Sequence, residues 1–481
     1  KVALYDPAAG RELATGQFPD QEMRITAARP GWAEQEPEWW WEAFQQAYQR
    51  AVRKAQIDTR RITAIGISYQ MHGLVCLNEA GEPLRPSIIW CDSRAVPYGR
   101  QALEGVGEEY AFHHLLNSPG NFTAAKLAWV KEHEPEVFAS IATICLPGDY
   151  LSFKLTGERT TTISGLSEGI FYDFVEQDIS QRLLDHFGFS RAMFPTVKPS
   201  FADHGTVSAA MAESLGLSPR ARVTYKAGDQ PNNALSLNVL QPGEIAATAG
   251  TSGVVYGVSD TLFIDPSQRV NSFAHVNYER DRPRIGILLC INGTGIANAW
   301  AHKWTGAEGY PVMNEQAAAI AAGAEGLTFF PFGNGAERML GNASVGAGLQ
   351  GLNFNTHTPA HLYRAVQEGI AYAFIYGMEA FRENDISPRV IRAGRANMFL
   401  SPLFTQVLST LSGVDIELYD TDGALGAARG AWVGAGEADL ATTFASLDRM
   451  KTYRPASDER AAYQDKYQNW KARLQGLLQY P

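Results

Sequence analysis

The sequence predicts an α/β protein of two halves, each a sheet flanked by helices. Three observations carry that prediction. Strand and helix patterns alternate from Arg389 to Gly434, which signals a parallel or mixed sheet with helices on its faces. A hairpin pattern opens the chain and a second one, Glu244 to Val258, echoes it, so the fold contains a duplicated unit. The 481 residues are 45% hydrophobic and 19% charged, an ordinary globular composition with enough length for two to four domains of roughly 100–200 residues.

In order along the chain, apolar Val2 to Tyr5 reads as a strand, and Asp6-Pro7-Ala8-Ala9-Gly10 supplies the dihedrals of a turn into the return strand. A helix follows over Glu38 to Gln56. Ile62 to Ser68 is β-branched and bounded by polar residues, a buried strand that delivers Gln70-Met71-His72-Gly73 to its end. Ligands sit at such strand ends in open sheets. Thr123 to Gly157 is mainly helical, with Leu127, Val130 and Phe138 facing a core. Arg222 to Tyr225 leads into Ala227-Gly228-Asp229-Gln230-Pro231, a strand and then a loop, and the division between domains is expected there, as 1–225 and 226–481. The second hairpin turns at Gly250-Thr251-Ser252-Gly253. His361 to Asn384 repeats apolar residues at i, i+3, i+4 and i+7, a buried helix whose Gly369, Ala373 and Gly377 admit a second backbone. Strand Arg389–Arg392, loop Ala393–Asn397, helix Ser401–Ser412, strand Asp415–Tyr419 and helix Gly423–Gly434 complete the alternation.

Charge and cysteine usage exclude several classes. With 51 acidic and 41 basic residues the formal charge is −10, which repels nucleic acid in the absence of a basic cluster. Cys76, Cys91, Cys145 and Cys290 are widely spaced and make neither a disulfide framework nor a zinc site, which fits a reducing compartment. Adjacent His113 and His114 point apart on any regular element. No run of 18 apolar residues predicts a membrane span. The P-loop pattern is missing, and Gly346-x-Gly348-x-x-Gly351 fails as a dinucleotide fingerprint because the following Leu352 to Pro359 opens no helix.

The remaining candidates cluster. Gly250, Thr251, Ser252 and Gly253 form a small-residue turn whose backbone N–H groups can converge on an anion, or equally an ordinary glycine turn. A second such turn, Asn292-Gly293-Thr294-Gly295, precedes a helix and a third spans Ala393-Gly394-Arg395-Ala396-Asn397. Asp229, at a strand end where the halves meet, can take a hydroxyl proton, hold magnesium through water, or cap a turn. Gln70, His72, Asp92 and Arg94, with Trp90 as an apolar plate, suit a small polyhydroxylated ligand, although His72 reads as readily as a core histidine.

Taken together these residues resemble the FGGY carbohydrate kinases, nearest their xylulokinase branch. Pro30-Gly31-Trp32-Ala33-Glu34-Gln35-Glu36-Pro37, Gln70-Met71-His72-Gly73, Ile89-Trp90-Cys91-Asp92-Ser93-Arg94, Lys126-Leu127-Ala128-Trp129, Gly148-Asp149-Tyr150-Leu151 and Leu155-Thr156-Gly157 match family blocks. So do Gly228-Asp229, Gly250-Thr251-Ser252-Gly253, His361 to Ala365 with Glu368-Gly369, and Leu425-Gly426-Ala427-Ala428. The resemblance implies two ribonuclease-H-like domains of the actin, hexokinase and Hsp70 type, with sugar in the interdomain cleft and ATP with Mg2+ on the C-terminal domain. It implies Asp229 as the catalytic base near the metal, with Gln70, Met71, His72, Trp90, Asp92, Arg94 and Gln230 around the sugar. Gly250, Thr251, Ser252 and Gly253 would hold phosphates, and Gly295, Gly394 and Asn397 would line the nucleotide. The implied activity is phosphorylation of a ketose, D-xylulose first, with another pentulose such as ribulose or a non-catalytic sugar-sensing ATPase as alternatives. A cytoplasmic homodimer is the family's habit. Two departures accompany the match. The family opens on a D-x-G-T phosphate hairpin ending in a lysine similar to Lys1, so its magnesium-associated aspartate is expected ahead of this numbering, and its run of three glycines at the adenine is here Ala393-Gly394-Arg395.

Overall fold

The structure, a computed structural model, describes residues 1–384 and 386–479. Strands β1 (Val2–Asp6) and β2 (Arg11–Gly16) form the opening antiparallel hairpin, whose turn is held by the Asp6 carboxylate accepting the amides of Ala8 and Ala9 at 3.0 and 3.2 Å. Helix α1 (Pro37–Ala55) starts on a proline, ends on a left-handed Gln56 and buries Trp40, Trp41, Ala43, Ala47 and Ala51. Strand β3 (Ala64–Tyr69) is followed by helices α2 (Thr123–His133), α3 (Pro147–Thr156) and α4 (Ile163–Glu168). Strands β4 (Phe201–Thr206) and β5 (Arg222–Gly228) then join β3 in a sheet of order β4-β5-β3, with β5 parallel to β3. Among the described residues β1 pairs only with β2, and β3 only with β5. Between β1 and β3 runs a slot of about 890 Å³, walled by Phe44 and Tyr48 of α1 and lined also by Asp229 and Asp422.

The second sheet is larger. Helix α5 (Asp229–Ser236) leads to β6 (Glu244–Ala249), β7 (Gly253–Ser259), β8 (Asn271–Ala274) and β9 (Ile285–Ile291). Helices α6 (Gly295–Thr305) and α7 (Pro359–Arg382) follow, then β10 (Val390–Gly394), α8 (Pro402–Ser412), β11 (Ile416–Tyr419), α9 (Gly423–Gly434), β12 (Arg449–Tyr453) and α10 (Arg460–Gln479). The order is β8-β9-β7-β6-β10-β11-β12, antiparallel except for the β6-β10 and β10-β11 pairs. The echo of the opening hairpin is therefore β6-β7, adjacent to a parallel pair, and both halves are mixed sheets with helices on their faces.

The long apolar repeat is α7, where Gly369 admits a second backbone as expected, whereas Gly377 makes room for a leucine side chain. A Cβ on Gly369 would lie 2.3 Å from the Phe329 carbonyl oxygen, and one on Gly377 would lie 2.4 Å from Leu289 Cδ2. Gly346–Gln350 is a strand paired with Thr328–Phe332, consistent with rejecting the dinucleotide pattern there. One expectation differs from what is found. The mainly helical Thr123–Gly157 contains a strand, Thr143–Cys145, paired with Val75–Leu77. The division after residue 225 falls inside β5, which keeps its register with β3 until Gly228 meets Tyr69. Helix α9 also crosses to the other half and packs on β3 and β5. No described helix is long and apolar enough to cross a membrane.

Candidate active site

Because β3 and β5 end in register, Gln70–Gly73 and Asp229–Gln230 leave the sheet side by side. Asp229 is the first residue of α5, and Gly228 before it has no room for a side chain, since a Cβ there would lie 2.6 Å from both Met71 Cγ and Glu168 Oε2. Burial raises the Asp229 carboxyl to about 6, against hydrogen bonds from Gln230 and the Met71 backbone that hold it lower. Gln230 Nε2 donates to Asp229 Oδ2 at 3.1 Å. A carboxyl tuned close to neutral pH is what general base chemistry requires.

His72 sits in the left-handed region at φ 61°, an uncommon place for a residue with a Cβ. Its Nδ1 lies 2.9 Å from the Glu168 carbonyl oxygen. That oxygen can only accept, so the proton is on Nδ1 and Nε2 is left as an acceptor. Burial pushes the imidazole down to about 3, which keeps it neutral. Its ring packs on Phe122 and Phe273, with centroids at 4.8 and 5.5 Å. Lys126 Nζ donates to the His72 carbonyl at 2.7 Å and so pins the strained turn, with burial lowering its ammonium to about 7. Glu168, 1% exposed beneath Gly228, is pushed well above the usual carboxylate range by burial and by Asp229 and Asp149. Gln70 Nε2 donates to Gln35 Oε1 at 2.9 Å, and Trp90 is 60% exposed.

Asp92 and Arg94 depart from the expected sugar contact. Asp92 is fully buried and accepts from Ala33 N at 2.5 Å and from Arg94 N, Nε and Nη2 at 2.7–3.0 Å. Arg94 also pairs with Glu34 at 2.7 Å and stacks on Trp32, 3.8 Å from its ring centre. Their polar atoms are spent on each other and on Glu34, so they brace the loop that presents Trp90. Lys126, Phe122 and Phe273 are additions to the candidate set. The signal for Lys126 was a single cation in the buried stretch Thr123–Val130, whereas Phe273, on the edge strand of the other half, had none.

Across the cleft, the β6-β7 turn exposes Thr251 and Ser252. Gly295 opens α6 against that turn, its amide donating to the Gly250 carbonyl at 2.7 Å, and a Cβ there would lie 2.4 Å from the same oxygen. Asn397, left-handed at φ 54°, brings its amide nitrogen to 3.5 Å from where a Gly250 Cβ would be. Gly394 ends β10 with the space above it open as far as Thr421 O at 3.7 Å. Gly253 differs, because a Cβ there would meet Phe374 and Thr294 at 2.6 Å, so its smallness serves packing. The structure thus joins Gly250, Thr251, Ser252, Gly295 and Asn397 in one small-residue concavity, with Gly394 beside it. Glu337, fully buried, fastens the neighbouring loop by accepting Asn292 N at 3.0 and 3.2 Å. The arrangement offers a proton acceptor and a neutral imidazole acceptor on one wall, and backbone donors suited to phosphate on the other.

Comparison with known proteins gives concordant results. The model described as FGGY family of carbohydrate kinases, N-terminal domain, matches residues 1–236, and its C-terminal counterpart matches residues 245–435. Xylulose kinase of Escherichia coli strain K12 is 30% identical over 469 residues, covering 95% of this chain and 94% of that protein. A solved xyloylose kinase from Brucella ovis superposes with a TM-score of 0.88 at 27% identity, covering 99% of this chain and 96% of that one. A glycerol kinase from Plasmodium falciparum, at 18% identity, shares the fold with a TM-score of 0.82, covering 94% of this chain and 92% of that one.

Proposed function

Since the chain belongs to the FGGY family of carbohydrate kinases, with the two-domain actin-like fold of that family, we propose that it transfers the terminal phosphoryl group of ATP to D-xylulose, giving D-xylulose 5-phosphate. The observation that carries this reading is the place of Asp229, which leaves the end of β5 beside the Met71–His72 turn and opens the helix that leads into the second sheet. The terminal hydroxyl of the ketose hydrogen-bonds to Asp229 and the remaining hydroxyls reach His72 Nε2 and the amides of Gln70 and Gln230. Trp90 covers the open side. Thr251, Ser252 and the backbone at Gly250 take the phosphates, and Gly295, Gly394 and Asn397 border the nucleotide.

Phosphoryl transfer passes through a loose transition state, so alignment and electrostatics supply most of the acceleration. Asp229 orients the hydroxyl and accepts its proton as the new bond forms. Magnesium, which neutralises phosphate charge when bound, prefers one or two carboxylates plus substrate oxygens to a protein cage. That preference suits this cleft, where no cluster of three metal-binding side chains exists among the described residues and Asp229 would hold the ion through water. We place the domain division at the end of β5. Consumption of ATP fits a cytoplasmic setting.

The test is a coupled assay of ADP release over a panel of pentuloses and hexuloses. Wild type should turn over D-xylulose best, and Asp229→Ala should lose about 10²–10⁴-fold in kcat. Undiminished turnover in the variant, or no turnover by wild type on any ketose, would refute the assignment.

A further inference from the structure

Strand β8 is an edge of the second sheet and, among the described residues, pairs only with β9. An edge strand presents a row of unpaired backbone groups, and here side chains of the first half meet them. Asn117 Oδ1 accepts the Ser272 amide at 3.0 Å, and Asn117 Nδ2 donates to the Ser272 carbonyl at 2.5 Å. Two residues on, Ser167 Oγ accepts the Ala274 amide at 2.7 Å and Ser164 Oγ donates to the Ala274 carbonyl at 2.8 Å. All three side chains belong to buried residues. Hydrogen bonds are directional, so these four fix the position of β8 along the first half as apolar contact, which has no direction, would not.

The residue between the two anchored positions is Phe273, which is 1% exposed. Its ring meets the His72 imidazole with centroids 5.5 Å apart and planes at 48°, and meets the Phe122 ring edge-on at 5.9 Å. Helix α4 sets both members of the first contact. Ser167 holds Ala274, next to Phe273, and Glu168, the following residue of α4, accepts His72 Nδ1–H at 2.9 Å. The imidazole and the phenyl ring are thus registered from neighbouring residues of one helix, although they come from different halves of the chain. A neutral imidazole protonated on Nδ1 has one acceptor left, Nε2, in the plane of its ring. What packs against that ring therefore decides where the acceptor points.

We propose that Phe273 is a positioning residue for sugar binding, supplied by the second half and acting through His72, and that the bonds from Asn117, Ser164 and Ser167 to β8 set its place. The inference rests on the kinase reading above, in which His72 Nε2 accepts a ketose hydroxyl. Phe273 steadies the imidazole and takes no part in the phosphoryl step. Its loss weakens the hold on the sugar and leaves the nucleotide side as it was.

The experiment uses the full chain with Phe273→Leu, Ser167→Ala and His72→Asn, the last because asparagine tolerates a left-handed backbone. Titration calorimetry would measure D-xylulose affinity, alongside the ADP-release assay. Phe273→Leu should raise Kd and KM for D-xylulose about three- to tenfold, with kcat and the KM for ATP within about twofold. Ser167→Ala, which frees one anchor, should move the sugar values in the same direction by less. In the His72→Asn background, Phe273→Leu should alter sugar affinity by less than about twofold, because the two residues act through one contact. Should Phe273→Leu fail to fold, Ser167→Ala decides by the same split and the same cycle. Sugar affinity unaltered in Phe273→Leu, or losses that add in full with His72→Asn, overturns the proposal. Wild type that binds no ketose would overturn the kinase reading and with it this role of Phe273. Slow hydrogen exchange at the Ala274 amide, accelerated in Ser167→Ala, would then still establish the anchored strand.

Discussion

Asp149 and Lys226 form an ion pair at 2.7 Å with side chains 2% and 0% exposed, and Lys226 also donates to the Thr160 carbonyl at 2.6 Å. Three residues beyond Lys226 the same strand delivers Asp229, so the pair fixes the height at which the base emerges. Asp149→Asn leaves a buried ammonium without its counter-charge and should cost about 3–5 kcal/mol, read as a drop in urea midpoint. Asp229 itself sets a pH dependence. Its carboxyl is raised to about 6, and the ionised form is the one that accepts a proton, so kcat/KM should rise through about pH 6 and level off above it. His72, held near 3, adds no second limb in that range; a limb centred near 4 instead would refute the assigned environment. Of these residues, Asp229 and His72 were legible because they follow predicted strands directly. The Asp149 partner was not, since it lies 77 residues away in sequence, a distance that no local pattern encodes. Asp92 and Arg94 misled for the opposite reason: side chains fit for a sugar are also fit for each other, and only burial tells which.

Long periodic elements were readable because an apolar stripe must face a core. Predicted Gly423–Gly434 is found as such in α9, and His361–Asn384 is α7 shifted by two residues at each end. Short ones were not: Thr143–Cys145 and β8, three and four residues long, carry too few positions for alternation to register. The contact of α9 with β3 is equally tight. A Cβ on Gly66 would lie 1.9 Å from the Ala427 carbonyl oxygen. The oxygen belongs to backbone and a Cβ is fixed directly to its Cα, so neither can rotate aside. Gly66→Ala should therefore destabilise by about 1–3 kcal/mol, seen as a lower thermal midpoint. Gly476→Ala, on a helix with nothing within 4 Å, is the control and should hold or raise stability by up to ~1 kcal/mol. Equal effects of the two changes would contradict the close approach.

At the scale of the molecule, the larger mixed sheet was legible from the second hairpin and the β-α alternation, and the cleft followed from where strands end, whereas the opening hairpin pairs only with itself and stays outside the three-stranded sheet of its half. What stayed hidden is how the halves interlock, because α9 is covalently part of the second half and packs on the sheet of the first. Gly430 and Gly434 repeat the fit of Gly66, since Cβ atoms there would meet the Tyr225 ring at 2.7 Å and the Thr224 carbonyl at 1.8 Å. The two halves are thus not separable modules, whatever a single cut in the chain suggests. Residues 1–236 produced alone would show water the apolar face that α9 covers, and should be recovered aggregated. Produced together with residues 237–481 in the same cell, they should be recovered soluble and associated, with the helix acting as a clasp. A monomeric, cooperatively melting 1–236 fragment would show instead that the clasp is dispensable, and that the N-terminal half could be inherited, shuffled or fused independently of its companion.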